Sequence, residues 1–229
     1  MKPLITIITA TTGKYKRAQW SVLTQTYTNI QHIIVSDGAD VVADNTADFI
    51  LLPYNTGADG YNGHKIYAAA TFLAKGDYIC YLDEDNILEP DHIQSLVDVL
   101  DTDTEWAYSL RNIISNGEFV CRDDCESLGT HTNIMGETFC DVNTWMIRAD
   151  VARKLAPLWH RRARKDLPEV DRLITNTLLQ HFPNVKSTGK YTLNYNTGNT
   201  ANSVKPEFFV NGNRLAEDIW GGHYPWQMI

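Results

Sequence analysis

Short β-branched runs alternate with amphipathic helical runs over the first hundred residues of this 229-residue chain, and that alternation restricts its fold more than any other feature. Residues 4–10, 30–36, 49–52 and 77–82 read as strands, rich in Ile, Val, Leu and Tyr. The segment 14–26 carries Ala18, Val22 and Leu23 at helical spacing. The segment 64–75 puts Ile66, Ala69, Ala70 and Leu73 on one face and stops at Gly76, and 90–100 does the same with Ile93, Leu96, Val97 and Leu100. Strand-helix alternation at this spacing predicts an α/β fold, a doubly wound, mostly parallel sheet with helices on both faces. Ligands of such sheets bind beyond the carboxyl ends of the strands. Asp37 and the Asp83-Glu84-Asp85-Asn86 tetrad both stand at such ends.

The second half changes character. Residues 105–125 read as strands with a turn at Asn116-Gly117, 139–147 is an apolar segment, and 150–158 and 168–182 look helical. From Thr188 the tail is rich in Asn, Gly, Thr and Ser, with aromatics at its end. No repeat or obvious linker interrupts the chain, so we expect one domain over residues 1–229, with a ligand-binding half to about 100 and a smaller mixed region after it.

The tetrad follows a buried strand, and adjacent carboxylates there cost stability unless a cation neutralises them. Magnesium and manganese take carboxylate oxygens, and magnesium often shares its shell with substrate phosphates. The tetrad therefore suggests a metal-assisted site for a phosphorylated substrate. The net charge of −8, from 20 basic and 28 acidic residues, argues against a nucleic-acid binder. We see no signal peptide and no apolar stretch of about 18 residues, so no membrane span and a cytoplasmic location are expected. Cys80 and Cys140 lie in apolar runs and read as core. Cys121 and Cys125 have the spacing to close a small loop or bind metal, but no paired zinc motif accompanies them.

Read in order, the pieces are residues 5–11, Val35-Ser36-Asp37-Gly38, Asn55-Thr56-Gly57, Asn62-Gly63, Gly76-Asp77-Tyr78-Ile79 and Leu82-Asp83-Glu84-Asp85-Asn86. This series, over roughly residues 4–92, resembles the nucleotide-sugar-binding half of inverting glycosyltransferases with the GT-A fold, specifically glycosyltransferase family 2. The resemblance implies a sugar transfer from a nucleoside-diphosphate sugar, most often UDP-linked, to a glycan or other acceptor hydroxyl, with manganese or magnesium. It puts Thr9, Ala10 and Thr11 against the nucleobase and gives Asp37 a ring N–H to accept. Asn62 belongs to the same donor site. Tyr61 stands where an Arg is common, and Lys65 one turn on is a candidate replacement for that charge, with His64 a candidate phosphate contact. Asp83 and Asp85 match the family's Asp-x-Asp motif, Asp85 chiefly for the metal and Asp83 for the ribose or for the metal through water. Glu84 is counted with the donor-binding residues, although it faces the other way if the strand persists, and Asn86 replaces a frequent Asp.

The same resemblance seeks a base at the start of a late helix, where Asp171 is the first choice and Glu169 the second. Asp166 and Glu169 also read as capping residues around Pro168. Asp141 and Asn143, taken as alternating along a strand that resembles the family's strand below the sugar, are expected to face one side, where they either bind sugar hydroxyls or make structural hydrogen bonds. His223 is a candidate to complete the metal shell. The basic run from His160 to Lys165 has the charge to attract an anionic acceptor, and Asn199 to Ser203 the composition of a lid. Two other readings stand beside the transferase. A nucleotidyltransferase shares the fold type but wants a Gly-rich basic loop after its first strand, and Thr11-Thr12-Gly13-Lys14 is a poor version. A non-catalytic nucleotide-sugar or glycan binder is the third.

Overall fold

The computed structural model describes residues 2–160, 170–198 and 203–227. Its first half runs β1 (Ile5–Thr11), α1 (Lys16–Leu23), β2 (Ile30–Asp37), β3 (Asp48–Leu52), α2 (His64–Ala70), β4 (Tyr78–Tyr81), β5 (Ile87–Leu88) and α3 (His92–Asp98). Its second half runs β6 (Trp106–Ser115), β7 (Glu118–Arg122), β8 (Trp145–Arg148), α4 (Ala149–Leu155), α5 (Val170–His181), β9 (Val185–Thr197) and α6 (Pro206–Trp220).

One sheet passes through both halves in the order β3-β2-β1-β4-β8-β6-β9-β5, with β7 paired to β6. β3, β2, β1 and β4 are parallel. β8 runs against both β4 and β6, and β9 is parallel to β6. With β8 reversed between them, and the short β5 and β7 also running the other way, β6 and β9 point the same way as β1, β2 and β4. Their carboxyl ends open on one edge.

Side chains alternate between two cores, as a sheet covered on both faces requires. Ile5 and Ile7 pack with Ala18 and Val22 of α1 and with Ile93 and Leu96 of α3. Ile8, Tyr81, Trp145 and Ile147 pack on the other face with α2, α4 and α5. There the Trp159 ring lies 5.1 Å from Tyr81 and 5.3 Å from Tyr67. Trp145 is fully buried. All four cysteines are free thiols, Cys121 and Cys125 included.

The helices come out shorter than their hydrophobic stripes. α2 ends at Ala70 because the Thr71 hydroxyl donates to the Tyr67 carbonyl and the chain turns toward β4. Two elements were not expected. β9 is a 13-residue strand in a segment whose Asn, Gly and Thr content reads as loop. Its polar groups find partners in the segment 86–92: the Thr192 hydroxyl with His92, the Asn194 side chain with Glu89, and the Asn196 backbone amide with Asn86. α6 buries Phe209, Gly212 and Ala216. Its punctuation was visible in sequence, with Pro206 in the first turn and Gly221 after the last at φ +59°.

Two buried histidines give the fold an acid limit. His32 shares a 3.0 Å hydrogen bond with Thr9, and His92 a 2.9 Å one with Thr192. The other ring nitrogen of each has no partner among the described residues. Burial pushes both imidazoles down to about 4. Above pH ~6.5 both are neutral whether folded or unfolded, so the fold loses nothing. As pH falls from there towards 4, the unfolded chain takes up protons that the folded chain refuses. Stability should fall by about 3 kcal/mol per histidine across that window. Urea midpoints measured from pH 7 to 4 will show the fall, and a His32→Gln/His92→Gln chain should show much less of it. The double variant is the needed control, because Asp83, raised to about 6, works in the opposite direction over the same interval.

Candidate active site

The open edge of the sheet carries a cleft of about 650 Å³. Ala10, Thr11 and Thr12 line it from the end of β1, Asp37 from β2, and Asp83, Glu84 and Asp85 from β4. Asn55, Gly57 and Asn62 come from the loop before α2, and His64 and Tyr67 from α2 itself. Val142, Trp159 and Asp171 close it from the second half of the chain.

Asp37 organises the loop opposite. Its Oδ1 accepts from the Thr56 amide at 2.6 Å and hydroxyl at 2.8 Å, and its Oδ2 accepts from the Gly57 amide at 2.9 Å. A carboxylate oxygen takes about two donors, so Oδ2 keeps one position for a ligand. The loop passes so close that a Cβ on Gly57 would sit 2.2 Å from the Asn62 carbonyl oxygen. Asn62 adopts φ +49°, a left-handed conformation that Asn tolerates better than most residues.

Several expectations change here. Thr9 points to the α1 face of the sheet, buried against His32 and one turn of the pleat below the cleft, which Ala10, Thr11 and Thr12 line. Lys65 does not line the cleft; its ammonium sits 3.6 Å above the Tyr61 ring, which draws the cation sideways. Glu84 does turn away from its two neighbours, but its carboxylate is consumed by the β1–α1 loop. It accepts from the Thr11 hydroxyl at 2.5 Å, the Thr12 hydroxyl at 2.6 Å, and the Thr12 and Lys14 amides. Burial alone would raise its pKa, yet these donors hold it below the usual range. Asn86 is not aimed at a ligand: it is buried, and its Oδ1 receives the Asn196 amide of β9.

Asp141 and Asn143 are not on a strand. Asp141 caps a short 3-10 turn, Val142–Thr144, accepting from the Asn143 amide, so Val142 reaches the cleft. Both polar side chains are buried. Asn143 clamps Asp83 instead of a sugar: its Nδ2 donates to Asp83 Oδ2 at 2.8 Å, and the Asp83 amide donates to its Oδ1 at 2.6 Å. The Tyr67 hydroxyl holds Asp83 Oδ1 at 2.5 Å. Sequence reasoning missed Tyr67, although an aromatic one turn into a helix that begins at the cleft was the available signal.

Burial, followed by the charges of Asp85 and Asp141, raises Asp83 to about 6 despite these donors. Asp85 beside it is exposed. The pair is thus a negative site with one carboxylate poorly solvated. Among the described residues no three His, Cys, Asp or Glu side chains converge as a metal centre. Two carboxylates do fit a cation that takes its remaining ligands from a diphosphate and water. His223 is not part of this arrangement: it is exposed in the turn after α6. Asp171 lies in the first turn of α5 and lines the cleft, its Oδ1 accepting from the Arg172 amide at 2.7 Å. Glu169, Asp166, the basic run after His160 and Asn199 to Asn202 lie outside the described residues.

The sheet order and the cleft define a GT-A fold, and solved structures of that architecture superpose on it. S. aureus TarS 1-349 in complex with UDP-GlcNAc aligns over 94% of this chain with a TM-score of 0.62 and 15% identity. The same fragment with UDP gives 0.61 and 14%. The chain spans 66% of the first of these, just under two thirds, and 39% of a longer TarS chain. No curated protein matches it. The sequence profile of glycosyl transferase family 2 matches residues 15–155, more than half of the chain, and the chain belongs to that family.

Proposed function

We propose that this protein transfers a sugar from a nucleoside-diphosphate sugar, UDP-linked by preference, to an acceptor hydroxyl with inversion, assisted by manganese or magnesium. The observation that carries this is the meeting of Asp37, the Asp83–Asp85 pair and Asp171 in one cleft at the carboxyl ends of the parallel strands. In this reading Ala10, Thr11 and Asp37 receive the base, with the free position on Asp37 Oδ2 taking a ring N–H. Asp83 and Asp85 would hold the cation, which when bound neutralises the leaving diphosphate. Tyr67 and Asn143 keep Asp83 oriented. Asp171 takes the proton of the acceptor hydroxyl as that oxygen attacks the anomeric carbon. UDP is chosen because the superposed TarS structures contain UDP and UDP-GlcNAc.

The nucleotidyltransferase reading loses support at the β1–α1 loop. That activity wants backbone N–H groups free for phosphate. Here the Thr12 and Lys14 amides point at Glu84 and the Gly13 amide at Thr11. A single domain with two halves fits the continuous sheet. No described helix is long and apolar enough to cross a membrane.

Thermal shift against UDP, GDP and CDP, each with manganese or with EDTA, tests the donor assignment. UDP with manganese should give the largest shift. A larger shift with GDP or CDP overturns the UDP choice, and equal shifts in EDTA overturn the metal.

A further inference from the structure

A buried charge cluster behind the cleft touches both of its acidic ends. Arg111 on β6 is only 2% exposed, yet it faces three carboxylates. Its Nε donates to Asp123 at 2.7 Å, Nη1 to Asp141 at 2.5 Å and Nη2 to Glu126 at 2.5 Å. The Tyr195 ring lies 4.4 Å from the guanidinium and the Phe209 ring 5.2 Å. Stability alone does not account for such a cluster, because well-packed apolar residues of similar volume often serve as well or better.

Two arms leave it. Along the first, Asp141 Oδ1 accepts from the Asn143 side chain at 2.9 Å, and Asn143 holds Asp83. Along the second, Glu126 Oε1 accepts from Arg172 Nη2 at 2.8 Å. Arg172 directly follows Asp171 in the first turn of α5, and it is fixed again by Glu137 at 2.9 Å and by the Phe139 ring at 4.3 Å. Glu126 is thus one carboxylate gripped by two arginines, one in the core of the second half and one on the helix that brings Asp171 to the cleft.

We infer that Glu126 is a positioning residue: by bridging Arg111 and Arg172 it sets the place of Asp171 relative to Asp83 across the cleft. The inference rests on the reading of Asp171 as the base. Its physical motive is that a misplacement of about 1 Å between reacting groups can cost ~100-fold in rate. The spacing here is held between two segments far apart in sequence, so a rigid connector has something to do.

The test is a double-mutant cycle on the full chain, with UDP-GlcNAc and UDP-glucose as donor probes and water as acceptor. UDP affinity in manganese is measured beside it by calorimetry. Glu126→Gln should lower kcat about tenfold or more, with donor KM and UDP affinity within about twofold. In an Asp171→Asn background the same change should add less than about twofold, because no base remains to be positioned. Unchanged kcat in Glu126→Gln overturns the inference. So does a fully multiplicative loss with Asp171→Asn, or a parallel loss of UDP affinity. Full activity of Asp171→Asn alone would instead remove the base assignment on which the inference stands. If Glu126→Gln does not fold, Arg172→Gln cuts the same bridge from its more exposed side, with the same expected and overturning results.

Discussion

Asp171→Asn is expected to cut turnover of a UDP-sugar by about 10³-fold while UDP binds as before. General-base catalysis is worth ~10²–10⁴-fold, and an amide of the same shape cannot take the proton. The helix N-terminal field favours the ionised carboxylate, so Asp171 enters the reaction already able to accept. One of its oxygens accepts from the next residue's amide, which orients it. The end of the cleft proposed to take the nucleotide is formed by β1, β2 and the loop before α2, which Asp171 does not build. Binding should therefore survive. Steady-state turnover and UDP calorimetry on the same preparation check the split. A variant that retains more than about a tenth of the activity would remove Asp171 from the role of base.

Asp85→Ala should be nearly as damaging, and by a different route. Asp85 is exposed at the end of β4, beside a half-buried Asp83 whose carboxyl it helps to push up. Like charges placed this way oppose each other in the free protein and are reconciled by a cation. Removing Asp85 should leave the melting temperature of the free protein unchanged or slightly higher. The added stabilisation by manganese with UDP should disappear, and manganese-dependent turnover should fall by about 100-fold or more, the scale of losing one of few charged metal ligands. Thermal shift with and without manganese, beside turnover, separates these effects. A manganese-dependent UDP shift that persists in Asp85→Ala would move the cation elsewhere.

Much of the site was legible because it depends on local order. Asp37, Asp83 and Asp85 each follow a short apolar strand, and a parallel sheet sends such residues to one edge whatever else the chain does. Asp171 came from the resemblance, which seeks a base at the start of a late helix. Glu84 was half legible: its direction followed from alternation, but its partners are 70 to 73 residues back in the chain. Asp141 and Asn143 were misplaced because apolar neighbours suggested a strand. Their short polar side chains instead closed a capped turn, which Asp and Asn do readily.

What the sequence determined by itself was the α/β alternation, the two cores of the first half and the carboxylates at the strand ends, since each follows from periodicity over a few residues. Only the tertiary structure decided that β9 is a strand, that Asn143 and Tyr67 grip Asp83, and that Arg111 gathers Asp123, Glu126 and Asp141. Those contacts join residues from 12 to 100 positions apart. Their polar groups look solvent-facing in a linear reading. They became interior when β8 reversed direction and brought β6 and β9 alongside the first half of the sheet, where burial obliged each of them to find a partner.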